Sequence, residues 1–191
     1  LKVTSPIYCQ DGRKTIGTGT GFFFKFKEKF YLVSNRHIFV DEGQNIFPDK
    51  LTIRLNASDN AGSKDILLPL YDVTDNPIWV ELAKDIDLAA IEINKPENCL
   101  FFPMDETALP PNLFPIGLGE QVLVIGYPNG FHDEINNLPI VRNASVASAY
   151  GINFKEKPIF LVDSRLHPGT SGSPVITSRG ASAEGDSKWY L

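Results

Sequence analysis

Short hydrophobic runs separated by turn residues make up most of the chain, and several of them alternate with polar residues. Lysines alternate with phenylalanines over 24–27, which is typical of a β-strand with one buried face. Similar runs of β-branched and aromatic residues predict strands at 21–26, 29–34, 51–55, 66–71, 78–82, 87–93, 121–126, 139–149, 158–163 and 174–177. No long amphipathic helix is predicted, and short turns after His37 and at 105–109 are the best helical candidates.

A proline-rich segment from about 95 to 119 divides these strands into two groups. It carries five prolines and no convincing strand, so we expect it to connect two β units. The pattern therefore predicts an all-β fold of two β-barrels. The N-terminal barrel is expected over 1–95, the connector over 96–119 and the C-terminal barrel over 120–191.

The composition is that of a globular protein. Of the 191 residues, 42% are hydrophobic and 21% are charged, and glycine and proline show no period. These values exclude collagen-like, coiled-coil and disordered chains. The formal net charge of −5 argues against a phosphate-binding surface, so no nucleic-acid partner is expected. Lysines interrupt the longest apolar stretches, so no membrane insertion is expected.

The two ends suggest a piece of a longer protein. The chain begins at Leu1 without a signal-peptide pattern and stops in the strand-like run 189–191. We therefore expect further domains outside this sequence and a second barrel that is incomplete at its C-terminal end. Without a visible signal peptide, a cytoplasmic location is slightly favoured over secretion.

Cysteine and histidine spacing gives no sign of a metal site. Cys9 and Cys99 are far apart in sequence, and the sequence alone does not say whether they are bonded or free. No pair of cysteines or histidines has zinc-site spacing, so no metal is expected.

The segment 168–174, Pro-Gly-Thr-Ser-Gly-Ser-Pro, is a candidate nucleophile loop. Its glycines allow unusual backbone dihedrals, which would let the N–H groups of Gly169 and Ser171 converge on one point. A plain turn rich in glycine, serine and proline is equally compatible with this segment alone.

Chain order narrows the possible chemistry. All three histidines precede Ser171, whereas an α/β-hydrolase places its histidine after the serine and uses the pattern G-x-S-x-G. Subtilisin order would need an aspartate before the histidine, and only Asp11, in a predicted turn, is available. The order histidine, aspartate, serine remains. His37 ends one predicted strand, and Asp87, 50 residues later, begins another.

Four segments stand out in chain order: Gly19-Thr20-Gly21-Phe22, Ser34-Asn35-Arg36-His37, Asp87-Leu88-Ala89 and Gly169-Thr170-Ser171-Gly172-Ser173-Pro174. Together they resemble the landmark motifs of chymotrypsin-fold (trypsin-like) serine peptidases. The resemblance is closest to the bacterial branch that holds the glutamyl endopeptidases and the high-temperature-requirement proteases, and it extends from about 16 to 177. The run 119–128 also resembles the strand that opens the second barrel in that family.

The resemblance implies two antiparallel Greek-key barrels with the active site in the cleft between them. It implies that Ser171 is the nucleophile, His37 the general base and then acid, and Asp87 the residue that orients the imidazole. The backbone N–H groups of Gly169 and Ser171 would form the oxyanion hole. Asp85 is the alternative orienting acid, because residues two apart on a strand share one face. The preference for Asp87 rests on the resemblance.

The expected function is a serine endopeptidase that acts on protein or peptide substrates and needs no cofactor. Two alternatives stay open: an inactive, peptide-binding module, and a sensor domain that is latent until a missing partner domain activates it. For substrate specificity, Arg165 stands where trypsin-like enzymes carry an acidic residue, so a basic primary side chain is not expected. Arg165, Leu166 and His167 are expected to line the substrate pocket.

Three further features are interpreted as structural. His132 lies in a polar loop and is expected at the surface. The phenylalanines at 22, 23, 24 and 26 are expected in the barrel core. The glycine-rich run 17–21 leads into a predicted strand, not a helix, which argues against a dinucleotide-binding loop.

Overall fold

The computed structural model describes residues 2–59, 62–83, 85–111, 115–181 and 187–191. Strands dominate these residues and form two sheets, so the fold is all-β as the sequence predicts. The strands are β1 (Thr4–Asp11), β2 (Lys14–Phe26), β3 (Lys29–Ser34), β4 (Lys50–Asn56), β5 (Ser63–Pro69), β6 (Trp79–Ala83), β7 (Ile86–Ile93), β8 (Met104–Asp105), β9 (Gln121–Gly126), β10 (Ile140–Val146), β11 (Val162–Asp163), β12 (Val175–Ala181) and β13 (Ser187–Tyr190).

The first sheet contains β1 to β8 in the order β5-β4-β1-β2-β3-β7-β6, with β8 beside β2. Neighbours along that order are antiparallel, whereas β8 runs parallel to β2. Its core is apolar and fully buried at Ile7, Phe23, Leu32, Leu51 and Ile53. Burial of such side chains stabilises a fold by roughly 1.5–3 kcal/mol each. This sheet therefore forms a firm support for the residues at its strand ends.

The second sheet contains β9 to β13 in the order β11-β10-β9-β12-β13, all antiparallel. Its buried core is smaller and centres on Val122, Val124, Ala144 and Val146. The amide of Thr20 in β2 donates a hydrogen bond to the carbonyl of Ser171, just before β12. The two sheets therefore meet where the candidate histidine and serine lie.

Two details differ from the sequence-based expectations. The connector was expected to hold no strand, but Met104–Asp105 pairs with Phe24 and Lys25 of β2. Phe26 was expected in the core and is 42% exposed, because it lies at the end of β2, whereas Phe22 and Phe23 are buried. The division into barrels over 1–95 and 120–191 stays a prediction.

The helical elements are short. A four-residue helix, α1 (Arg36–Phe39), follows β3, and 3₁₀ turns occupy Glu106–Ala108 and Pro128–Gly130. Ile38 and Phe39 bury the inner side of α1 against the first sheet. None of the helices among the described residues is long and apolar enough to cross a lipid bilayer.

Candidate active site

His37 and Asp87 form a hydrogen-bonded pair at the edge of the first sheet. His37 lies in α1, directly after β3, and Asp87 is the second residue of β7, which pairs with β3. His37 Nδ1 lies 2.7 Å from Asp87 Oδ2, and the His37 amide donates to Asp87 Oδ1 at 2.9 Å. Because one carboxylate receives both groups, the imidazole is held in one orientation with Nδ1–H facing Asp87 and Nε2 facing away.

The electrostatics of this pair favour a charged imidazolium. The hydrogen bond to Asp87 and its negative charge raise the pKa of His37 above 6.5, although partial burial acts in the opposite direction. Partial burial of Asp87 acts to raise its pKa, but the hydrogen bonds from the His37 side chain and amide outweigh that effect and lower it. His37 can therefore take up a proton beside a carboxylate that stays ionised.

Asp85, the alternative orienting acid, does not share the strand face of Asp87. The structure places it in the exposed turn before Ile86, where β7 begins, so the rule that residues two apart on a strand share one face does not apply. Asp87 is the carboxylate that accepts both of these hydrogen bonds of His37.

Arg36 ties the helix that carries His37 to two neighbouring segments. Its guanidinium binds Glu42 through two hydrogen bonds of 2.7 Å and also binds Glu81 of β6. Its side chain is only 13% exposed, so these bonds are partly shielded from water. The turn that presents His37 is thus fixed from both sides.

The loop before β12 has a backbone that requires glycine at two positions. Gly169 has a φ of +89° and Gly172 a φ of +83°, in the region that L side chains rarely adopt. A Cβ at Gly169 would lie 2.7 Å from the carbonyl oxygen of Tyr127, and one at Gly172 would collide with Ser34 Oγ. The loop therefore packs directly on backbone from both sheets.

The hydrogen bonds of this loop leave two amides free, and these two flank Thr170. The amides of Thr170, Gly172 and Ser173 donate to His167, Asn35 and Thr170 respectively. Among the described residues, the amides of Gly169 and Ser171 donate to no protein acceptor. Free, preorganised N–H groups on both sides of a single intervening residue are suited to bind a developing oxyanion.

Carbonyl contacts fix the directions of these two free amides. The Pro168 carbonyl accepts from the Asn129 amide at 2.5 Å, and the Thr170 carbonyl accepts from the Ser173 amide at 2.9 Å. In a trans peptide the C=O and the following N–H point in opposite directions. The N–H groups of Gly169 and Ser171 therefore point away from Asn129 and Ser173 respectively.

Asn35 connects the histidine–aspartate pair to this loop. Its Nδ2 donates to the Asp87 carbonyl at 2.6 Å, and its Oδ1 accepts from the Gly172 amide. Asn35 lies within a motif quoted above, but nothing in its local pattern indicates these long-range contacts. Neither its role nor that of Thr20 was anticipated from the sequence.

Ser171 directly precedes Gly172 in this loop, and its side chain is not bonded to the imidazole of His37. The structure contains no hydrogen bond between Ser171 Oγ and the His37 ring. Such catalytic hydrogen bonds are often long in ligand-free sites and tighten when substrate binds. The serine backbone is nevertheless tied to the first sheet through the amide of Thr20, at 2.8 Å from the Ser171 carbonyl.

A cleft of about 430 Å³ opens beside Ser171. Leu88, Val162 and Leu166 contribute apolar surface to it, and Thr170 contributes a polar group. Of the three residues expected to line a substrate pocket, Leu166 borders this cleft, whereas Arg165 and His167 are exposed nearby in the loop and do not line it.

His132 is not at the surface, which corrects the expectation from its polar loop. It is 9% exposed and packs edge-to-face on Tyr127, with 5.3 Å between ring centroids. Its Nδ1 lies 2.6 Å from the Gly130 carbonyl oxygen. Because a carbonyl can only accept, Nδ1 is the donor in this contact.

Both cysteines are free thiols. Cys9 is buried in the first core, and burial raises its pKa to about 12, which makes it an unreactive thiol. Across the described ranges, no group of three or more histidine, cysteine or acidic side chains is placed to hold a metal ion.

The fold is that of the chymotrypsin-type serine peptidases, an all-β fold of two β-barrels. A family model described as the trypsin-like peptidase domain matches residues 19–182, most of the chain. The chain therefore belongs to the trypsin-like peptidase family. Its expected place in the bacterial branch stays a prediction.

Comparison with solved structures gives 291 matching chains. One of them is the crystal structure of the serine endoprotease from Yersinia pestis, with a TM-score of 0.55 and 15% sequence identity. The match covers 99% of this chain and 58% of that chain, so this chain spans little more than half the length of that structure. At this identity the likeness shows a shared fold. A search of curated protein sequences gives no match.

Proposed function

We propose that the chain is a serine endopeptidase that cleaves peptide bonds through an acyl-enzyme. The observation that carries the proposal is the pair of free amides at Gly169 and Ser171. Most of the other backbone N–H and C=O groups of this loop are hydrogen-bonded. A plain glycine-serine turn gives no reason for such an arrangement. An oxyanion hole needs it, since removal of one donor typically costs about 10²–10³ in rate.

In the proposed reaction, Ser171 Oγ attacks the scissile carbonyl carbon while His37 Nε2 accepts its proton. The carbonyl oxygen becomes an oxyanion, which the two free amides stabilise. His37 then gives the proton to the leaving amine, and the C–N bond breaks to leave Ser171 acylated. A water molecule, deprotonated by His37, attacks the ester and releases the second product. Asp87 stays ionised throughout and stabilises the imidazolium.

The substrate class follows from the family, since peptidase domains act on proteins or peptides. We propose that the peptide lies extended beside the second barrel, with its primary side chain near Leu166. Arg165 and His167 stand exposed in the same loop, so a basic side chain would meet like charge from Arg165. The proposed chemistry uses side chains and backbone amides of this chain alone and calls for no metal or organic cofactor.

One observation favours a second candidate, a latent or inactive domain that binds peptides without cleaving them. It is the lack of a hydrogen bond between Ser171 Oγ and His37 in this structure. Latency predicts that activity appears only when a further domain or a ligand is added. A permanently inactive module predicts peptide binding without turnover under every condition.

The test is hydrolysis of a fluorescence-quenched protein substrate by the purified chain. Wild type and Ser178→Ala are expected to release fluorescence, and Ser171→Ala is expected to lose activity by about 10⁴-fold or more. Ser178 is a suitable control because it is an exposed serine in β12, away from the loop. Turnover that persists in Ser171→Ala would contradict the proposal. Binding of the substrate by wild type with no cleavage would favour the second candidate.

A further inference from the structure

Thr20 is the one residue of β2 that is bonded to both the candidate nucleophile loop and the segment after β9. It is fully buried. Its amide donates to the Ser171 carbonyl at 2.8 Å, and its hydroxyl donates to the Gly169 carbonyl at 2.8 Å. The same hydroxyl oxygen accepts from the amide of Tyr127 at 2.9 Å.

These contacts fix the carbonyls that follow the two free amides. The carbonyls of Gly169 and Ser171 face Thr20, and those of Pro168 and Thr170 are bonded to Asn129 and Ser173. Every peptide from 168 to 171 is therefore held through its carbonyl oxygen. A rotation that turned the Gly169 amide away from the oxyanion position would have to break at least one of these bonds.

The hydroxyl of Thr20 does what a hydrophobic side chain of the same shape cannot do. It donates to one segment and accepts from another, so it joins the loop at Gly169 to the backbone at Tyr127. Tyr127 lies two residues before Asn129, whose amide holds the Pro168 carbonyl. The two carbonyls on either side of the Gly169 N–H are thus both tied to the segment 127–129, that of Gly169 through the Thr20 hydroxyl and that of Pro168 through the Asn129 amide.

We infer that Thr20 is a positioning residue for the oxyanion hole: its hydroxyl holds the Gly169 carbonyl while Asn129 holds the Pro168 carbonyl, so Gly169 is fixed on both sides and its N–H points at the developing oxyanion. The inference rests on the proposed peptidase function. Thr20 touches no reacting atom, so its effect is expected on the stability of the transition state and not on substrate binding.

The experiment compares three substitutions at Thr20 with a matched control. Thr20→Val and Thr20→Ala remove the hydroxyl, and Thr20→Ser keeps it. Thr52→Val is the control because Thr52 is also a buried threonine in the first sheet, and its hydroxyl bonds only to the Gln10 side chain. Each variant is assayed for kcat, for KM and for inhibition by a peptide boronic acid, whose tetrahedral adduct places an oxygen in the oxyanion hole.

The expected result is a fall in kcat of about 10- to 100-fold for Thr20→Val and Thr20→Ala, with KM changed by less than about twofold. The inhibition constant of the boronic acid should rise in parallel with the loss in kcat. Thr20→Ser and Thr52→Val should keep most of the wild-type kcat. Thermal unfolding of each variant is measured first, and all assays are run at one temperature below the lowest unfolding transition. If Thr20→Val does not fold, Thr20→Ala provides the variant without the hydroxyl.

Three other outcomes are distinguishable. If wild type is active and the folded Thr20→Val or Thr20→Ala keeps the kcat of Thr52→Val, the positioning role is wrong while the peptidase function stands. A loss in kcat without weaker boronate inhibition also overturns it, since a general structural defect would then explain the loss. If wild type neither cleaves substrate nor binds the boronic acid, the proposed function itself fails.

Discussion

The backbone amide of Asn129 donates a hydrogen bond to the carbonyl oxygen of Pro168, with 2.5 Å between nitrogen and oxygen. This contact joins the turn after β9 to the loop before β12. Because the Pro168–Gly169 peptide is planar and trans, the contact also sets the direction of the Gly169 N–H. The Gly169 amide proposed for the oxyanion hole thus has a fixed direction in this structure, and several predictions depend on it.

Gly169→Ala is expected to reduce kcat by at least about 10²-fold and to destabilise the fold by about 1–3 kcal/mol. Its Cβ would lie 2.7 Å from the Tyr127 carbonyl oxygen and 2.8 Å from the Asn129 nitrogen, at a φ of +89°. The peptide must then move, and the Gly169 N–H moves with it. Kinetics and thermal unfolding measure the two effects.

Gly12→Ala is the control for that variant. Gly12 also has a positive φ, of +59°, but a Cβ there would meet nothing within 4 Å. It should show part of the stability loss and nearly normal kcat. Equal kcat for the Gly169 and Gly12 variants would contradict the role given to the Gly169 amide.

Asp87→Asn is expected to lower kcat by about 10³–10⁴-fold, because the amide cannot stabilise the imidazolium as the carboxylate does. Asp85→Asn should remain within about twofold of wild type, since both carboxylate contacts to His37 come from Asp87. Steady-state kinetics on the two folded variants decides between these acids. The reverse pattern would assign the orienting role to Asp85.

The pH dependence of kcat/KM should show an acid limb governed by His37. Only neutral His37 can accept the proton of Ser171, so activity falls as pH decreases through the pKa of this histidine. Since Asp87 raises that pKa above 6.5, the midpoint should lie above 6.5. In Asp87→Asn the charge is lost and the midpoint should move to lower pH. A midpoint that is the same in both proteins would contradict the assignment.

Asn35→Ala is expected to lower kcat by about tenfold while the protein stays folded. The substitution removes both hydrogen bonds that join the Asp87 carbonyl to the Gly172 amide. His37 and the serine loop would then be held less firmly relative to each other. Asn153→Ala, at an exposed position outside the strands and helices, is the control and should behave as wild type. Unchanged kcat in Asn35→Ala would show that this bridge is dispensable.

Alternating patterns predicted the strands well where each strand has one buried face. The strands at 29–34 and 121–126 have the bounds that the sequence predicted. The prediction over 158–163 was too long, since only Val162–Asp163 pairs with β10. Most of the apolar residues in that segment have no neighbouring strand to pair with. Strand pairing depends on distant parts of the chain, so the local sequence could not show this.

The sequence could indicate only those candidate site residues whose chemical type and order along the chain are distinctive. His37 and Ser171 could be chosen as candidates because few residue types can act as base and nucleophile, whereas Asp87 was preferred to Asp85 on the family resemblance alone. Thr20 and Asn35 could not be chosen, since their bonds cross 149 and 137 residues of chain. The burial of His132 was missed for a different reason: its contacts with Tyr127 and Gly130 are local, but the polar composition of the loop gave no sign that it folds over the Tyr127 ring.

The most direct test of the account is covalent labelling with a fluorophosphonate, followed by intact-mass measurement and peptide mapping. The account predicts a single adduct on Ser171, absent in Ser171→Ala and formed far more slowly in His37→Ala. Circular dichroism should show that all three proteins are folded. A folded wild-type protein that forms no adduct, or an adduct that persists in Ser171→Ala, would contradict the claim that Ser171 is an activated nucleophile.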